Sequence, residues 1–358
     1  LRTQLAEIFG KYLSKRHQII SIMKSNSKKK HFYWEGIEFY NLSIFNFIKK
    51  IFQLLKKEKF DLVFARDDLS LLLMGFFIKK VYRIPLIFQF TIPIKFITAL
   101  EFKWYHPINI GGMIKHTLLL KFMKKADLIL PISEWMGKYL ASNGIDYKKI
   151  YNFPDGANPN LFRVYEYPLS VKNPLFIYIG ALGKIRRLDV LIEAMNIVVK
   201  KFESAQLFLV GTGDNIIFLK SLTRKLELEK NISFTGLVPY YEVPRYIGKS
   251  HIALSPIAPY YHYKLSSPLK LFEYLSCSRP VIANKEIPAH LKIIKESQAG
   301  VLVDFNPESF AKAMINLFKN LKKAIEMGIN GRKWVEKNRT YEKQAIQLEK
   351  KMFDFFLH

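Results

Sequence analysis

From residue 175 onward the chain repeats one pattern: a short run of β-branched and other apolar residues, a turn built on glycine or basic residues, then a helical segment. Residues 175–180, 206–214, 232–236, 251–256, 281–283 and 300–303 are such runs, and helical spacing fills most of the intervals. A four- to six-residue run with no polar alternation is a strand buried on both faces, and strands separated by helices pair in parallel. The pattern therefore predicts an α/β fold with a mainly parallel sheet, whose ligands sit at the carboxyl ends of the strands. The first half repeats it less regularly. Helical spacing over 3–13 leads into a strand at 17–22. Further strands are expected at 37–40, 60–65, 85–90, 126–133 and 150–153, with helices at 44–55 and 69–82. A doubly wound sheet would place one more strand and a tight loop ahead of the helix at 3–13, so the first domain is expected to lack its first strand in this chain. At 358 residues the chain suits two domains. Asn173-Pro174 marks the break, giving 1–168 and 169–338.

Within the second half, Ser266-Ser267-Pro268-Leu269-Lys270-Leu271-Phe272-Glu273-Tyr274-Leu275 carries the most chemistry. Serine before proline starts a helix: proline fits the first turn, and the serine hydroxyl can cap the free amides behind it. The open N–H groups, chiefly those of Leu269 and Lys270, would face outward with the positive end of the helix dipole and the lysine charge, which is a seat for phosphate. Lys270 and Glu273 share a face, while Leu271 and Leu275 turn inward. These ten residues read equally well as a surface helix with an ion pair. The other strand ends supply Gly180, Lys184, Arg186, Gly211 and Gly213, so an anion site assembled from several loops is expected. In the first half the strand ends carry Arg66 and Ser133.

Lysine and arginine number 56 against 30 acidic residues, a net charge of +26. That balance fits nucleic acid, an anionic membrane surface or a phosphorylated small substrate. Most lysines come in scattered pairs that also read as solvated helix faces, with one tighter group at Lys28-Lys29-Lys30. Residues 92–123 break the strand–helix alternation and mix aromatics with lysines, the composition of an interfacial segment or of a packed insertion. The single Cys277 excludes a disulfide framework, and with no Asp-x-Asp and no spaced His/Cys/Asp cluster no metal is expected. The apolar run at 69–78 is about half of the ~20 residues that span a bilayer. The first residues carry neither an initiator methionine nor a secretion-signal pattern, so the sequence is expected to start inside the gene product. One cysteine fits a reducing interior, so a cytoplasmic protein, peripheral at most on the inner face of the cell membrane, is expected.

In order, the pieces Tyr178-Ile179-Gly180, Leu191-Ile192-Glu193-Ala194, Val210-Gly211-Thr212-Gly213, Phe234-Thr235-Gly236, the Pro268–Leu275 stretch, Arg279-Pro280-Val281-Ile282-Ala283 and Gly300-Val301-Leu302-Val303 resemble the glycosyltransferases of family 4. Ala126–Glu134 and Pro154–Phe162 extend the resemblance into the first half. The resemblance implies a GT-B fold, two Rossmann-like domains with parallel sheets facing a cleft, and a helix in 339–358 that packs back on the first domain. It implies a retaining transfer from a nucleotide-diphosphate sugar, held by the second domain, to an acceptor hydroxyl held by the first. A glycan or lipid-linked acceptor, in cell-surface polysaccharide or glycolipid assembly, is expected because a basic, aromatic first domain suits an anionic membrane surface, and no cofactor is expected. Arg186, Lys270 and Glu273 would be the catalytic residues. Gly180, Lys184, Gly211, Gly213, Ser266, Ser267 and Leu269 would join them around the donor, Glu273 would take the ribose, and Arg66 and Ser133 would face the acceptor. The chain departs from the family pattern at Leu265, where a second glutamate is common, at Ala181, where an arginine is common, and at Asp155, Asn158 and Ser278. No histidine stands near Phe90 and Thr91. A sugar-nucleotide epimerase of the same build, and a non-catalytic polyanion or nucleic-acid binder, are the alternatives; a specific nucleic-acid partner is not expected.

Overall fold

The computed structural model describes residues 3–24, 31–91, 93, 105–168 and 172–356. It divides into two compact units, one formed by described residues of 1–95, 105–154 and 341–358, the other by 155–340.

In the second unit, β7 (Leu175–Ile179), β8 (Gln206–Val210), β9 (Ile232–Gly236), β10 (Ile252–Ser255), β11 (Val281–Asn284) and β12 (Gly300–Val303) form one sheet in the order β12-β11-β10-β7-β8-β9. All five pairings are parallel, as the unbroken apolar runs require. Every residue of β10 and β11 is buried, because helices cover both faces. Leu191 and Met195 of helix Asp189–Val198 share one core with Phe310 and Met314 of helix Pro307–Lys319. The strand order also locates the site. The chain runs outward from β7 through β8 to β9, returns to the other side of β7 as β10, and continues to β12. The order therefore reverses between β7 and β10, the switch point at which doubly wound sheets bind ligands. The loop after β7 and the helix after β10, Leu269–Ser276, flank it.

The first unit holds β1 (Ile19–Lys24), β2 (His31–Trp34), β3 (Ile37–Leu42), β4 (Val63–Arg66), β5 (Leu86–Phe90) and β6 (Leu128–Pro131). These form two three-stranded sheets, β1-β3-β2 and β4-β5-β6, in place of the one sheet expected. β2, which the strand pattern alone does not reveal, is antiparallel to β3. The turn between them is Glu35-Gly36, with φ of 49° and 77°, the two left-handed residues that the tight hairpin turn matched to strand twist demands. An apolar cavity of about 180 Å³ lies between the sheets, lined by Ile20 and Ile22 of β1, Val63 and Ala65 of β4, and the helices Ile44–Lys57 and Leu69–Tyr82. Residues 150–153 form no strand; Tyr151 and Phe153 donate to the Ile129 and Pro131 carbonyls along β6. Residues 107–123, read as an irregular stretch, are a continuous helix, Pro107–Met123, begun by a proline in its first turn. The lysines at 28–30 and residues 92 and 94–104 of the proposed interfacial segment lie outside the described residues.

The segment 155–168, expected in the first domain, belongs to the second unit. Two arginines hold it there, one half-buried and one buried. Arg332 donates to the Pro159, Phe162 and Ser276 carbonyls, and Arg279, 1% exposed, donates to those of Tyr165, Glu166 and Gly248. Helix Tyr341–Phe356 lies in the first unit, where Tyr341, Ala345 and Leu348 share a core with Ile8, Leu13 and Leu128.

Candidate functional site

At the switch point the backbones of two loops nearly touch. Gly180 and Gly211 have φ of +145° and +134°, and a Cβ on Gly211 would lie 2.0 Å from the Gly180 carbonyl oxygen. A Cβ on Gly213 would lie 2.4 Å from the carbonyl carbon of Leu182. Only glycine fits either position, and the result is a shallow, side-chain-free floor at the ends of β7 and β8. The loop is braced by the Asp214 carboxylate, which accepts the Lys184 N–H at 3.0 Å.

Lys270 reaches over this floor from helix Leu269–Ser276. Its Nζ sits 4.0 Å from the Tyr178 ring centroid and would be 3.1 Å from a Cβ placed on Gly180. Burial, then the neighbouring Arg186 guanidinium, push the Lys270 ammonium well below its ordinary range, while Glu273 pulls it back. Arg186, in the short 3-10 turn Lys184–Arg186, stacks on Tyr263 with its guanidinium carbon 4.7 Å from the ring centroid. Lys184 is exposed beside it. One turn deeper, Glu273 is 5% exposed and accepts the Tyr240 hydroxyl at 2.8 Å. Burial pushes its carboxyl up to about 7, opposed by the Tyr240 hydrogen bond and Lys270 and reinforced by Asp155.

The helix mouth differs from the sequence reading in detail. Leu269 is the first helical residue, Pro268 occupies the cap position, and no side chain caps it. The Ser267 hydroxyl accepts the Asp155 N–H at 3.0 Å instead, and the Leu269 N–H donates to the Ser267 carbonyl at 3.1 Å. The reason is the linker: Asp155 follows Pro154 directly and brings an amide that competes for the serine. Among the described residues the Lys270 N–H keeps no such partner, so the outward amide and the ammonium belong to the same residue. Ser266 turns back to the Tyr263 carbonyl at 2.7 Å and shapes the turn.

Five side chains here were given no site role by the sequence. Tyr178 and Tyr240 contact Lys270 and Glu273. His262 and Tyr263 are buried in the turn of helix Tyr261–Lys264, their rings 4.0 Å apart, and burial followed by Arg186 pushes His262 down to about 4, so it is neutral. Deeper still, His290 bridges the Ser255 hydroxyl and the Asn284 carbonyl at 3.1 Å each, and burial holds it near 4 as well. No spacing rule marks these residues, since each reaches the site through the fold.

In the first unit, Arg66 and Ser133 fall at the carboxyl end of the parallel β4-β5-β6 sheet, at the ends of its two outer strands. Arg66 pairs with Asp67 at 3.2 Å, and Asp67, at φ 54°, accepts the Thr91 N–H and hydroxyl at 2.6 and 2.5 Å. Ser133 caps helix Glu134–Ser142 by accepting the Met136 N–H at 3.0 Å, so its hydroxyl has a structural task.

Two Rossmann-like α/β units, the second with a glycine floor under a lysine and an arginine at its switch point, define a protein of the GT-B class. The chain belongs to glycosyltransferase family 4: residues 14–161 match the family described as Glycosyltransferase Family 4, and residues 166–334 match Glycosyl transferases group 1. An uncharacterized glycosyltransferase of Haemophilus influenzae is 23% identical over 199 residues, 55% of this chain and 52% of that protein, so the match spans about half the length of that curated relative. Among solved structures, sucrose-phosphate synthase from Thermosynechococcus elongatus superposes with a TM-score of 0.77 at 16% identity, covering 97% of this chain and 92% of that one. HepE of Anabaena, in complex with UDP and glucose, gives 0.67 at 16% identity over 89% and 86%.

Proposed function

We propose that this chain is a retaining glycosyltransferase that moves a sugar from a nucleotide-diphosphate donor to the hydroxyl of a glycan or lipid-linked acceptor, without a metal, in the assembly of a surface polysaccharide or glycolipid. The observation that carries the reading is the Lys270 ammonium held over the Gly180 backbone beside Arg186, with a buried carboxylate one helical turn deeper. In the reaction the acceptor oxygen bonds to the anomeric carbon, the bond from that carbon to the diphosphate oxygen breaks, and the acceptor proton ends on the departing diphosphate. Negative charge grows on the leaving group, so fixed cations and amides aimed at it lower the barrier. Lys270 and Arg186 supply the cations, the Lys270 N–H an amide, and Gly180, Gly211 and Gly213 leave room for the phosphates to approach the backbone. Glu273, braced by Tyr240, accepts from the ribose hydroxyls. The complex of HepE with UDP and glucose supports a uridine nucleotide as the first donor to try.

A thermal-shift panel of UDP-, GDP- and ADP-sugars tests the reading, because a ligand that binds only the folded state raises its melting temperature. Lys270→Ala is expected to lower turnover about 10²- to 10³-fold, the scale of losing one preorganised charge-stabilising donor. Turnover at the wild-type rate in that variant refutes the assignment.

A further inference from the structure

Two neighbouring arginines leave the loop after β7, and the fold treats them differently. Arg187, at φ 51°, is committed to Asp189: its Nε lies 3.2 and 3.1 Å from the carboxylate oxygens, and its Nη2 lies 2.9 Å from Oδ2. Among the described residues the Arg186 side chain makes no hydrogen bond and no ion pair. What holds it is the Tyr263 ring, whose centroid is 4.7 Å from the guanidinium carbon. A ring face attracts a cation through its quadrupole and offers no acceptor oxygen, so the charge is not neutralised and all the N–H donors stay open. A carboxylate in that place would occupy a pair of those donors and cancel the charge. We propose that Tyr263 is a positioning residue: it holds Arg186 by its ring alone, so that the guanidinium meets the diphosphate of the donor already oriented and unpaired. This role rests on the donor reading proposed above and adds to it the group that acts through the arginine.

The surroundings of Tyr263 fit a support and not a space-filler. The residue is 7% exposed, and its hydroxyl is buried with no hydrogen-bond partner, a cost that an aliphatic side chain would avoid. The side chain is therefore kept for its ring. His262 packs against that ring at 4.0 Å between centroids and lies parallel to Tyr260 at 6.2 Å, so flat groups follow one another from Tyr260 to the guanidinium. Burial keeps His262 neutral, and the stack adds no positive charge beside Arg186. The backbone is pinned as well. The Tyr263 N–H donates to the Tyr260 carbonyl at 3.0 Å, and the Tyr263 carbonyl accepts both the N–H of Ser266 at 3.1 Å and its hydroxyl at 2.7 Å. Ser266 thus acts on the donor through Tyr263. Lys270 repeats the device on Tyr178, again with no ion pair among the described residues. Cations that stand on ring faces, with no carboxylate paired to either, suit a ligand whose negative charges are adjacent.

The experiment is calorimetric titration of the full chain with UDP, GDP and ADP, continued with whichever binds, beside a thermal melt of every variant. Tyr263→Leu is expected to weaken the diphosphate about tenfold, while Tyr263→Phe, which keeps the ring, holds it within about threefold of the wild type. Because Tyr263 acts through Arg186, Tyr263→Leu added to Arg186→Ala should weaken binding no further than Arg186→Ala alone. Arg186→Lys keeps the charge and loses the flat fork, so it should also cost about tenfold, and it carries the test if Tyr263→Leu does not fold. The inference is overturned if folded Tyr263→Leu or Arg186→Lys binds like the wild type. It is also overturned if Tyr263→Phe loses as much as Tyr263→Leu, or if the losses in the double variant add. Turnover of the matching nucleotide sugars separates the two readings. Binding that follows the expected pattern with no sugar transferred leaves the role of Tyr263 standing and removes the proposed reaction, whereas transfer that is indifferent to Tyr263→Leu does the reverse. A wild-type chain that binds none of the three diphosphates removes both.

Discussion

Replacing Glu273 with glutamine keeps the shape of the side chain and removes its titration. In the folded protein burial raises this carboxyl from 4.5 to about 7, so between those values the folded state holds a proton that the unfolded chain has released. Stability therefore falls as pH rises through this window and is level above it. At roughly 1.4 kcal/mol per pH unit, the whole displacement makes about 3 kcal/mol. Glu273→Gln should match the wild type near pH 4 and exceed its stability by up to about 3 kcal/mol at pH 8. The assay is urea unfolding of both proteins at intervals across that range, read as the difference in unfolding free energy. The same substitution should cost donor binding, because a neutral amide accepts hydrogen bonds from ribose hydroxyls more weakly than a carboxylate. A difference that is flat with pH, or one that grows towards acid, would refute the burial argument.

Two further substitutions probe the frame around the site. Ser278 ends the helix Leu269–Ser276 at φ 53°, with its N–H on the Leu275 carbonyl and the Arg279 N–H on that of Tyr274, the bonding of a helix stop that glycine favours. Ser278→Gly should raise stability by about 0.5–1 kcal/mol in a thermal melt with no change in donor binding. Arg279→Leu removes the donor that serves the Tyr165, Glu166 and Gly248 carbonyls in a buried place, and a loss of about 3 kcal/mol or more is expected in urea unfolding.

The parallel sheet of the second unit was readable because each strand is an unbroken apolar run with a marked turn after it. Gly180, Gly211, Lys270 and Glu273 were readable because strand ends and a helix start fix where they fall. Ser267 was misread because its competitor, the Asp155 amide, is more than a hundred residues away. Tyr240 and His262 were missed for the same reason: a buried hydrogen bond or ring contact formed across loops leaves no local period. In the first unit β2 escaped notice because its signal is the Glu35-Gly36 turn and not the alternation of its four residues. The helix Pro107–Met123 did so because an apolar surface on all sides has no helical period to read.

The cavity between the two sheets of the first unit has a consequence for how the molecule responds to compression. Its apolar walls are only partly covered, with Ile20, Ile22, Leu55 and Leu71 half-buried, so the two sheets are less closely packed against each other than the strands of the second unit. Unfolding under pressure is driven by the loss of imperfectly packed volume, on the order of 20–100 mL/mol for a domain. Raising hydrostatic pressure at constant temperature should therefore expose the amides of β1 and β4 to hydrogen exchange before those of the closely filled β10 and β11, so that the first unit yields while the second still stands.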